Sequence, residues 1–183
     1  MPRLNPINPE TADPKSNELI ADVQKKIGMT PNMFATLAQS PAAFQSYLTF
    51  GETLKGGVLS AKLGEQIALA VAGANACQYC ASAHTAIGGS LGVDQDELAR
   101  NLDGESSDAK TATALEFARN VVAKRGWVSD ADLAEVRNAG FTEGEVAEIV
   151  AHVALNTFTN YFNHVAQPEV DFPKVEVGEV LVA

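Results

Sequence analysis

Residues 60–84 read SAKLGEQIALAVAGANACQYCASAH, and the fold depends on how this stretch is broken. Apolar side chains recur at helical spacing in its first half, and Gly73 and Asn75 then weaken the helix. One continuous helix would hold Glu65 about 18 Å from Cys77, since each residue adds about 1.5 Å along the axis. At that distance the two side chains could share no chemistry.

A turn after residue 73 removes this separation. If Asn75 is the N-cap of a second helix, Cys77 lies in the first turn of that helix, which packs against the first one. Only this arrangement lets Glu65 approach His84. We therefore predict two packed helices joined at Asn75.

Both cysteines of the chain lie in this second helix, followed by one of only three histidines. Cys77, Cys80 and His84 stand at positions i, i+3 and i+7, so two sulfurs and one imidazole share a helix face. Unpaired N–H groups and the dipole at a helix N-terminus stabilise a thiolate, which is the reactive form of cysteine. The pattern predicts a redox-active dithiol.

Two other uses of the cysteine pair stay open at this point. Zinc generally takes four ligands, and the segment with Cys77, Cys80 and His84 supplies three. A fourth ligand would have to come from His152, Glu65 or water. The thiols could also be inert and buried. The redox use is a cycle in which one thiolate attacks an oxidant, becomes a sulfenic acid and is resolved by its neighbour.

Glu65 and His84 are the candidate acid–base groups. His84 lies one turn beyond Cys80 on the same face, where an imidazole can take the thiol proton. Glu65 stands in an apolar stretch with few polar neighbours, where a carboxylate could orient His84 and hold its tautomer. The alternatives are an ordinary half-buried histidine and a solvated glutamate.

The last predicted helix carries a polar stripe of His152, Asn156, Asn160, Tyr161, Asn163 and His164. Three of these, His152, Asn156 and Asn163, fall near one side, so the stripe could face the dithiol or a subunit interface. Amides on such a face also satisfy buried backbone groups or cap a chain end. We expect His152 and Asn156 to line the site. A purely structural role for these side chains, in bonding buried backbone groups or capping a chain end, stays open.

Nearly every apolar run follows the helical period, so we predict an all-α fold in a single domain, residues 1–183. Extended segments are expected at residues 1–15 and 167–183, and only residues 175–182 alternate like a strand. The predicted helices cover residues 16–27, 31–37, 41–54, 61–74, 75–91, 107–124, 129–140 and 142–165.

The charge and the hydropathy of the chain argue against nucleic-acid-binding and membrane-spanning proteins. A net charge of −10 argues against nucleic acid as a partner, because neutralising phosphates needs a basic surface. The longest apolar run, residues 67–74, falls short of the roughly 20 residues that cross a membrane, and no signal peptide precedes it. We therefore expect a cytoplasmic protein with no membrane partner. In the cytoplasm thiols stay reduced, and a C-x-x-C pair more often serves catalysis or metal binding than as a structural disulfide.

The spacing Glu65-x11-Cys77-x-x-Cys80-x-x-x-His84 resembles the AhpD-like branch of the carboxymuconolactone decarboxylase superfamily, which includes alkylhydroperoxidases. Two further segments, TPNMF at residues 30–34 and NTFTNYFNHVAQPEVDFP at residues 156–173, are similar to the peroxidase-related members of that branch. The likeness covers roughly residues 28–173.

The resemblance implies an AhpD-like helical bundle that forms homo-oligomers, trimers or hexamers. By motif position, Cys80 would be the peroxidatic thiol and Cys77 the more accessible resolving thiol, with Glu65 and His84 as the proton relay. The implied substrates are organic or hydrogen peroxides. The implied reductant is a dithiol protein that carries a lipoyl group, with no bound cofactor and no metal. Members that act as decarboxylases lack the cysteine pair.

Tyr79 departs from the pattern of the alkylhydroperoxidases, which have a second histidine immediately before the second cysteine. A phenol has an ordinary pKa of about 10, so it donates a hydrogen bond but is a poor base near neutrality. We therefore expect Tyr79 to line the site and the relay to be shorter. A thiol–disulfide oxidoreductase with little peroxidase activity, or a zinc-binding or redox-sensing oligomer, are the alternative functions.

Overall fold

The computed structural model describes residues 1–178, and within them the chain forms nine α-helices and no strand. The all-α prediction is confirmed. Of the strand-like segment 175–182, residues 175–178 form no strand and the remainder lies outside the described residues. The helices are α1 Pro14–Ile27, α2 Asn32–Leu37, α3 Pro41–Leu54, α4 Ala61–Ala74, α5 Gln78–Ser90, α6 Gln95–Leu102, α7 Ala109–Ala123, α8 Asp130–Asn138 and α9 Glu143–Ala166.

Helix α4 is the centre of the molecule and packs against α5, α6, α7 and α9. Its residues from Gln66 to Ala72 are all buried, which explains why this stretch is apolar on every side. On one side of α4 an apolar core joins α7, α8 and α9. On the other side a second core joins α1, α2, α3 and the start of α5, and this one contains both cysteines.

The chain breaks between α4 and α5 as the sequence indicates, but the predicted cap is wrong. Asn75 is the C-cap of α4, and Cys77 is the N-cap of α5. Ala76 between them has a φ of +48°, so one left-handed residue turns the chain. The side chain of Asn75 donates instead to Asn160 Oδ1 at 2.9 Å, and the Cys77 sulfur takes the capping role.

Helix α6 was missed by the sequence analysis. It has eight residues with acidic Asp96 and Glu97 in its first turn, so the apolar signal reduces to Leu98 and Leu102. Asp94 caps it by accepting from Asp96 N–H at 2.9 Å.

Both terminal segments pack onto the helices. Arg3 N–H and Leu4 N–H donate to Ala166 O at 2.8 and 3.1 Å, and α1 starts at Pro14, two residues earlier than predicted. Residues 167–178 have no regular structure and run over α5, where Val175 N–H donates to Ser82 Oγ at 3.0 Å. The C-terminal segment thus covers the helix that carries the dithiol.

Candidate active site

The two cysteines form a buried pair at the start of α5. Their sulfurs lie 2.7 Å apart as free thiols, and Cys77 and Cys80 are only 2% and 3% exposed. As N-cap, Cys77 Sγ accepts from Cys80 N–H at 3.4 Å, which places this sulfur at the positive end of the helix. A disulfide needs about 2.05 Å between the sulfurs, so a small movement closes it.

The surroundings of the two sulfurs make them unequal acids. The hydrogen bond from Cys80 lowers the pKa of Cys77, and its capping N–H bond and the charge of His84 act in the same direction. Burial raises the pKa of Cys80, and the hydrogen bond to Cys77 raises it further. Cys77 is therefore the more readily ionised thiol of the pair, whereas the resemblance implies Cys80 as the ionised thiol. Cys77 is also no more accessible than Cys80.

The helical turn brings Glu65 of α4 and His84 of α5 into contact, with 2.7 Å between Glu65 Oε2 and His84 Nδ1. Both side chains are about one fifth exposed. Burial disfavours a charge on His84, but the charge and hydrogen bond of Glu65 outweigh it, and the pKa of His84 is raised. A protonated imidazole held in this way can return a proton to a leaving oxygen.

Helix α9 adds His152 and Asn156 beside this ion pair. The ring of His152 lies against Gly64, where a Cβ would be 3.0 Å from the ring. Burial lowers the pKa of His152 and outweighs the charges of Glu148 and Glu65, which raise it. Asn156 donates to the backbone O of His152 at 2.9 Å and also favours the protonated form of His84. The pKa values of His84 and His152 are thus shifted in opposite directions.

Two amides further along α9 bear on the sulfurs, and one of them contacts both. Asn163 Nδ2 lies 3.1 Å from Cys80 Sγ and 3.9 Å from Cys77 Sγ, and Asn160 also favours the ionised form of Cys80. Both residues belong to the polar stripe seen in the sequence, where neither was predicted to line the site. The spacing 156, 160, 163 was the available signal, because it follows one helix face.

Comparison with known proteins finds chains of similar sequence and similar fold. The model of the carboxymuconolactone decarboxylase family matches residues 41–124, which span α3 to the end of α7. A solved alkylhydroperoxidase AhpD core, an uncharacterised peroxidase-related protein from Ralstonia eutropha JMP134, is 26% identical over 93% of this chain and 92% of its own, with a TM-score of 0.84. The chain is thus similar to the carboxymuconolactone decarboxylase family over residues 41–124 and has the AhpD-like fold.

Two other solved structures share the AhpD-like fold. An uncharacterised peroxidase-related protein from Silicibacter sp. TM1040 is 23% identical over 93% of this chain and 94% of its own, with a TM-score of 0.80. A cysteine-to-alanine variant of the debrominase Bmp8, in complex with 2,3,4-tribromopyrrole, is 18% identical over 92% of this chain and 91% of its own, with a TM-score of 0.78. No functionally curated protein matches the chain significantly in sequence.

Tyr79, which stands where the alkylhydroperoxidases of this superfamily have a histidine, is engaged by the C-terminal segment. Its hydroxyl donates to Asp171 Oδ1 at 2.7 Å and accepts from Met33 N–H at 3.1 Å, and burial raises its pKa. The ring packs edge-on against Phe172. The structure therefore ties the Tyr79 hydroxyl to residues outside the dithiol and its relay.

The same carboxylate joins the two outer segments that carry the AhpD-like resemblance. Asp171 Oδ2 accepts from Asn32 N–H at 2.7 Å, at the start of α2, while Oδ1 holds Tyr79. Residues 30–34 and 156–173 thus meet at the helix of the dithiol. In this chain the two segments hold α5 in place through Asp171.

Tyr47 of α3 is a site residue for which the sequence offered no signal. Burial raises its pKa, and the charges of Cys80 and Glu65 raise it further, so the ring lies within electrostatic range of both groups. Its ring lies 5.5 Å from that of Phe34 and 6.5 Å from that of Phe158. The three aromatic rings are neighbours and connect α2, α3 and α9.

Metal binding is not favoured by the donor geometry. Two thiolates on one zinc ion lie about 3.8 Å apart, since each Zn–S bond is about 2.3 Å and the angle is tetrahedral. The sulfurs here are closer, at 2.7 Å. Among residues 1–178, no group of three or more His, Cys, Asp or Glu side chains is arranged to hold a metal ion. That described part also contains no helix long and apolar enough to span a membrane.

Proposed function

We propose that this protein is a thiol-dependent peroxidase that reduces organic or hydrogen peroxides through a Cys77–Cys80 dithiol–disulfide cycle. The observation that carries the proposal is the pair of free sulfurs 2.7 Å apart at the start of α5. The His84–Glu65 contact at 2.7 Å supplies the acid–base groups that the cycle needs. Similarity to a peroxidase-related protein of the AhpD-like fold supports the same function.

In the first step the thiolate of Cys77 attacks the terminal oxygen of the hydroperoxide. An S–O bond forms, the O–O bond breaks, and the alkoxide leaves with a proton from His84 as an alcohol, or as water when the substrate is hydrogen peroxide. Cys77 becomes a sulfenic acid. Glu65 keeps His84 protonated and oriented until the proton is needed.

In the second step the sulfur of Cys80 attacks the sulfenic acid sulfur of Cys77. The S–S bond forms as hydroxide leaves and is protonated to water. Two thiols have then lost two electrons, and the hydroperoxide has gained them. The proposed order makes Cys77 the attacking thiol and Cys80 the resolving one, because the lower pKa belongs to Cys77.

The cycle closes when an external dithiol reduces the disulfide by two thiol exchanges. Both sulfurs are buried, so the reductant must reach them with a narrow arm, and a lipoyl group on a carrier protein has that shape. The proposed partners are therefore a small peroxide and a dithiol protein, with the reaction in the reducing cytoplasm. The same burial disfavours direct thiol–disulfide exchange with a disulfide in another folded protein, because that disulfide could not reach the two sulfurs.

Single serine substitutions test the proposal. Cys77→Ser and Cys80→Ser should each lower peroxide turnover with a dithiol reductant to background, because each breaks the cycle. Ser90→Ala, at the far end of α5, is the matched control and should retain full turnover. Full turnover by either cysteine variant would defeat the assignment.

A trapping experiment tests the order of the two thiols. With one equivalent of hydroperoxide, Cys80→Ser should accumulate a sulfenic acid on Cys77 that a dimedone probe captures. Cys77→Ser should react more slowly, because the pKa of the remaining thiol is raised. Faster sulfenic acid formation on Cys80 would restore the order that the family resemblance implies.

A further inference from the structure

The amide of Asn163 has the reacting sulfurs as its hydrogen-bond partners. Its Nδ2 lies 3.1 Å from Cys80 Sγ and 3.9 Å from Cys77 Sγ. The residue is 5% exposed, and its Oδ1 has no partner within the described part of the chain. This side chain projects from α9, which crosses over the start of α5.

Folding alone does not account for an asparagine at this position. A buried amide oxygen without a partner costs free energy, and an apolar side chain of similar shape would avoid that cost. The amide nitrogen offers its N–H groups to sulfur, which is a weak acceptor as a thiol and a strong one as a thiolate. The hydrogen bond from Asn163 therefore stabilises the site most when a sulfur is a thiolate.

The proposed cycle requires a charge on each sulfur in turn. The capping N–H and His84 favour the thiolate of Cys77, but burial raises the pKa of Cys80, which must also ionise before it can close the disulfide. Of the two sulfurs, Asn163 lies closer to Cys80 by 0.8 Å (3.9 less 3.1). The Asn163 N–H donor is therefore placed at the thiol whose pKa is raised.

We propose that Asn163 is a catalytic residue whose amide N–H groups stabilise the thiolate of Cys80 as the disulfide closes. The inference deepens the peroxidase proposal and rests on it for the reaction step. In that step the Cys80 thiolate attacks the sulfenic acid sulfur of Cys77, the S–S bond forms and the S–O bond breaks. Hydroxide leaves and takes a proton to become water, and the hydroperoxide is the sole oxidant.

Asn160 supports Asn163 from the preceding turn of α9. Asn75 donates to Asn160 Oδ1 at 2.9 Å, which fixes that amide with its nitrogen on the other side. The Asn160 nitrogen is buried without a hydrogen-bond partner in the described part of the chain, and the residue favours the charged form of Cys80. His164 Nε2 in turn contacts Asn75 O at 2.9 Å, so the α4–α5 turn anchors the amide pair. The polar stripe on α9 therefore has a chemical use at Asn160 and Asn163.

A titration of Cys80 tests the inference without any peroxide. In a Cys77→Ser background, thiolate absorbance near 240 nm followed against pH reports the pKa of Cys80 alone. Asn163→Leu, which keeps the size and removes the donor, should raise that pKa by about one unit, a tenfold smaller thiolate fraction at neutral pH. The control Asn120→Leu, on α7 and away from the sulfurs, should leave it unchanged.

Kinetics in the two-cysteine protein supply the second measurement. Asn163→Leu should still form the sulfenic acid on Cys77 but close the disulfide about tenfold more slowly, so that dimedone captures more of the intermediate. An unchanged Cys80 pKa in Asn163→Leu, at retained thermal stability, would overturn the inference. If Asn163→Leu fails to fold, Asn163→Asp, which keeps the shape but loses the N–H donors, should raise the same pKa, and an unchanged value would again overturn it.

The two measurements separate this inference from the proposed function. A raised Cys80 pKa in a protein that does not turn over peroxide would retain the role of Asn163 as thiolate donor and remove the peroxidase. Peroxide turnover with an unchanged Cys80 pKa and disulfide closure rate in Asn163→Leu would retain the peroxidase and remove the role of Asn163.

Discussion

At the scale of single residues, the His84–Glu65 pair links the chemistry of the site to the stability of the fold. Glu65 raises the pKa of His84 above its ordinary value of about 6.5. A basic group with a raised folded-state pKa stabilises the protein fully below its unfolded pKa, and that contribution is lost as pH rises through the folded value. Stability should therefore decline above about pH 6.5.

Glu65→Gln should remove this dependence. The variant loses the charge that holds the proton on His84, so thermal unfolding between pH 6 and 9 should vary less with pH than in the wild type. At pH 6 the lost charge-assisted bond should lower the free energy of unfolding by about 1–2 kcal/mol. Peroxide turnover should fall about ten- to hundredfold, less than the loss of a complete acid–base catalyst. A pH profile of unfolding identical to the wild type would contradict this account of His84.

Much of the site follows from the sequence because four residues share one local pattern. Cys77, Cys80 and His84 stand on one helix face, and the break before Cys77 returns the chain toward Glu65. Other members come from distant helices, and their residue types have many common uses. An amide such as Asn163 can hydrogen-bond either a backbone group or a sulfur, and the sequence does not distinguish the two. Only the packed structure shows which partner it has. Tyr47 belongs to a helix with no polar pattern.

At the scale of helices, the close approach of α4 and α6 depends on Gly73. A Cβ at this position would lie 1.9 Å from Leu102 O, a backbone atom that cannot move aside independently. Gly73→Ala should therefore lower the free energy of unfolding by about 3 kcal/mol or more, well beyond a usual helical substitution.

Gly144→Ala is the matched control, since the nearest atom to its Cβ would be at 3.9 Å and the residue lies in a helix. It should be neutral or slightly stabilising, because alanine loses less backbone entropy than glycine on folding. Denaturant unfolding of the two variants gives the comparison. Equal stabilities would show that α4 and α6 have room to separate.

The helices most visible in the sequence were those with long apolar periods and clear caps. The capping boxes at the start of α8 and α9 are both formed, at Ser129 and Thr142. The N-cap of α5 was misplaced because the turn uses Ala76 in a left-handed conformation, which a residue with a Cβ seldom adopts. Local propensity alone does not predict that choice, since tertiary contacts of Asn75 determine it.

At the scale of the whole molecule, the C-terminal segment holds the dithiol helix in place through Tyr79 and Asp171. Tyr79→Phe removes one hydroxyl that bonds two partners and leaves a buried N–H of Met33 unpaired. The free energy of unfolding should fall by about 1–3 kcal/mol, with little change in peroxide turnover under conditions where the protein is folded. A large fall in turnover by the folded variant would instead assign Tyr79 to the reaction.

An apolar stripe on the outer side of α9 is the surface at which we expect copies of this chain to assemble. Phe158, Tyr161 and Val165 are 43%, 58% and 57% exposed and follow one helix face. Tyr161→Glu should reduce a trimer or hexamer to smaller species in light scattering, because it places a charge in that face. Trp127→Glu, at an equally apolar and more exposed site, is the control and should not change the assembly. A wild-type monomer would refute the prediction.

The most direct test of the central claim is the stoichiometry between thiols and peroxide. Reduced, metal-free protein mixed with one equivalent of an organic hydroperoxide should lose both free thiols and 2 Da of mass, and release one equivalent of the alcohol. Peptide mapping should place the new bond between Cys77 and Cys80. Two thiols that persist while the hydroperoxide remains unreduced would contradict the proposed cycle.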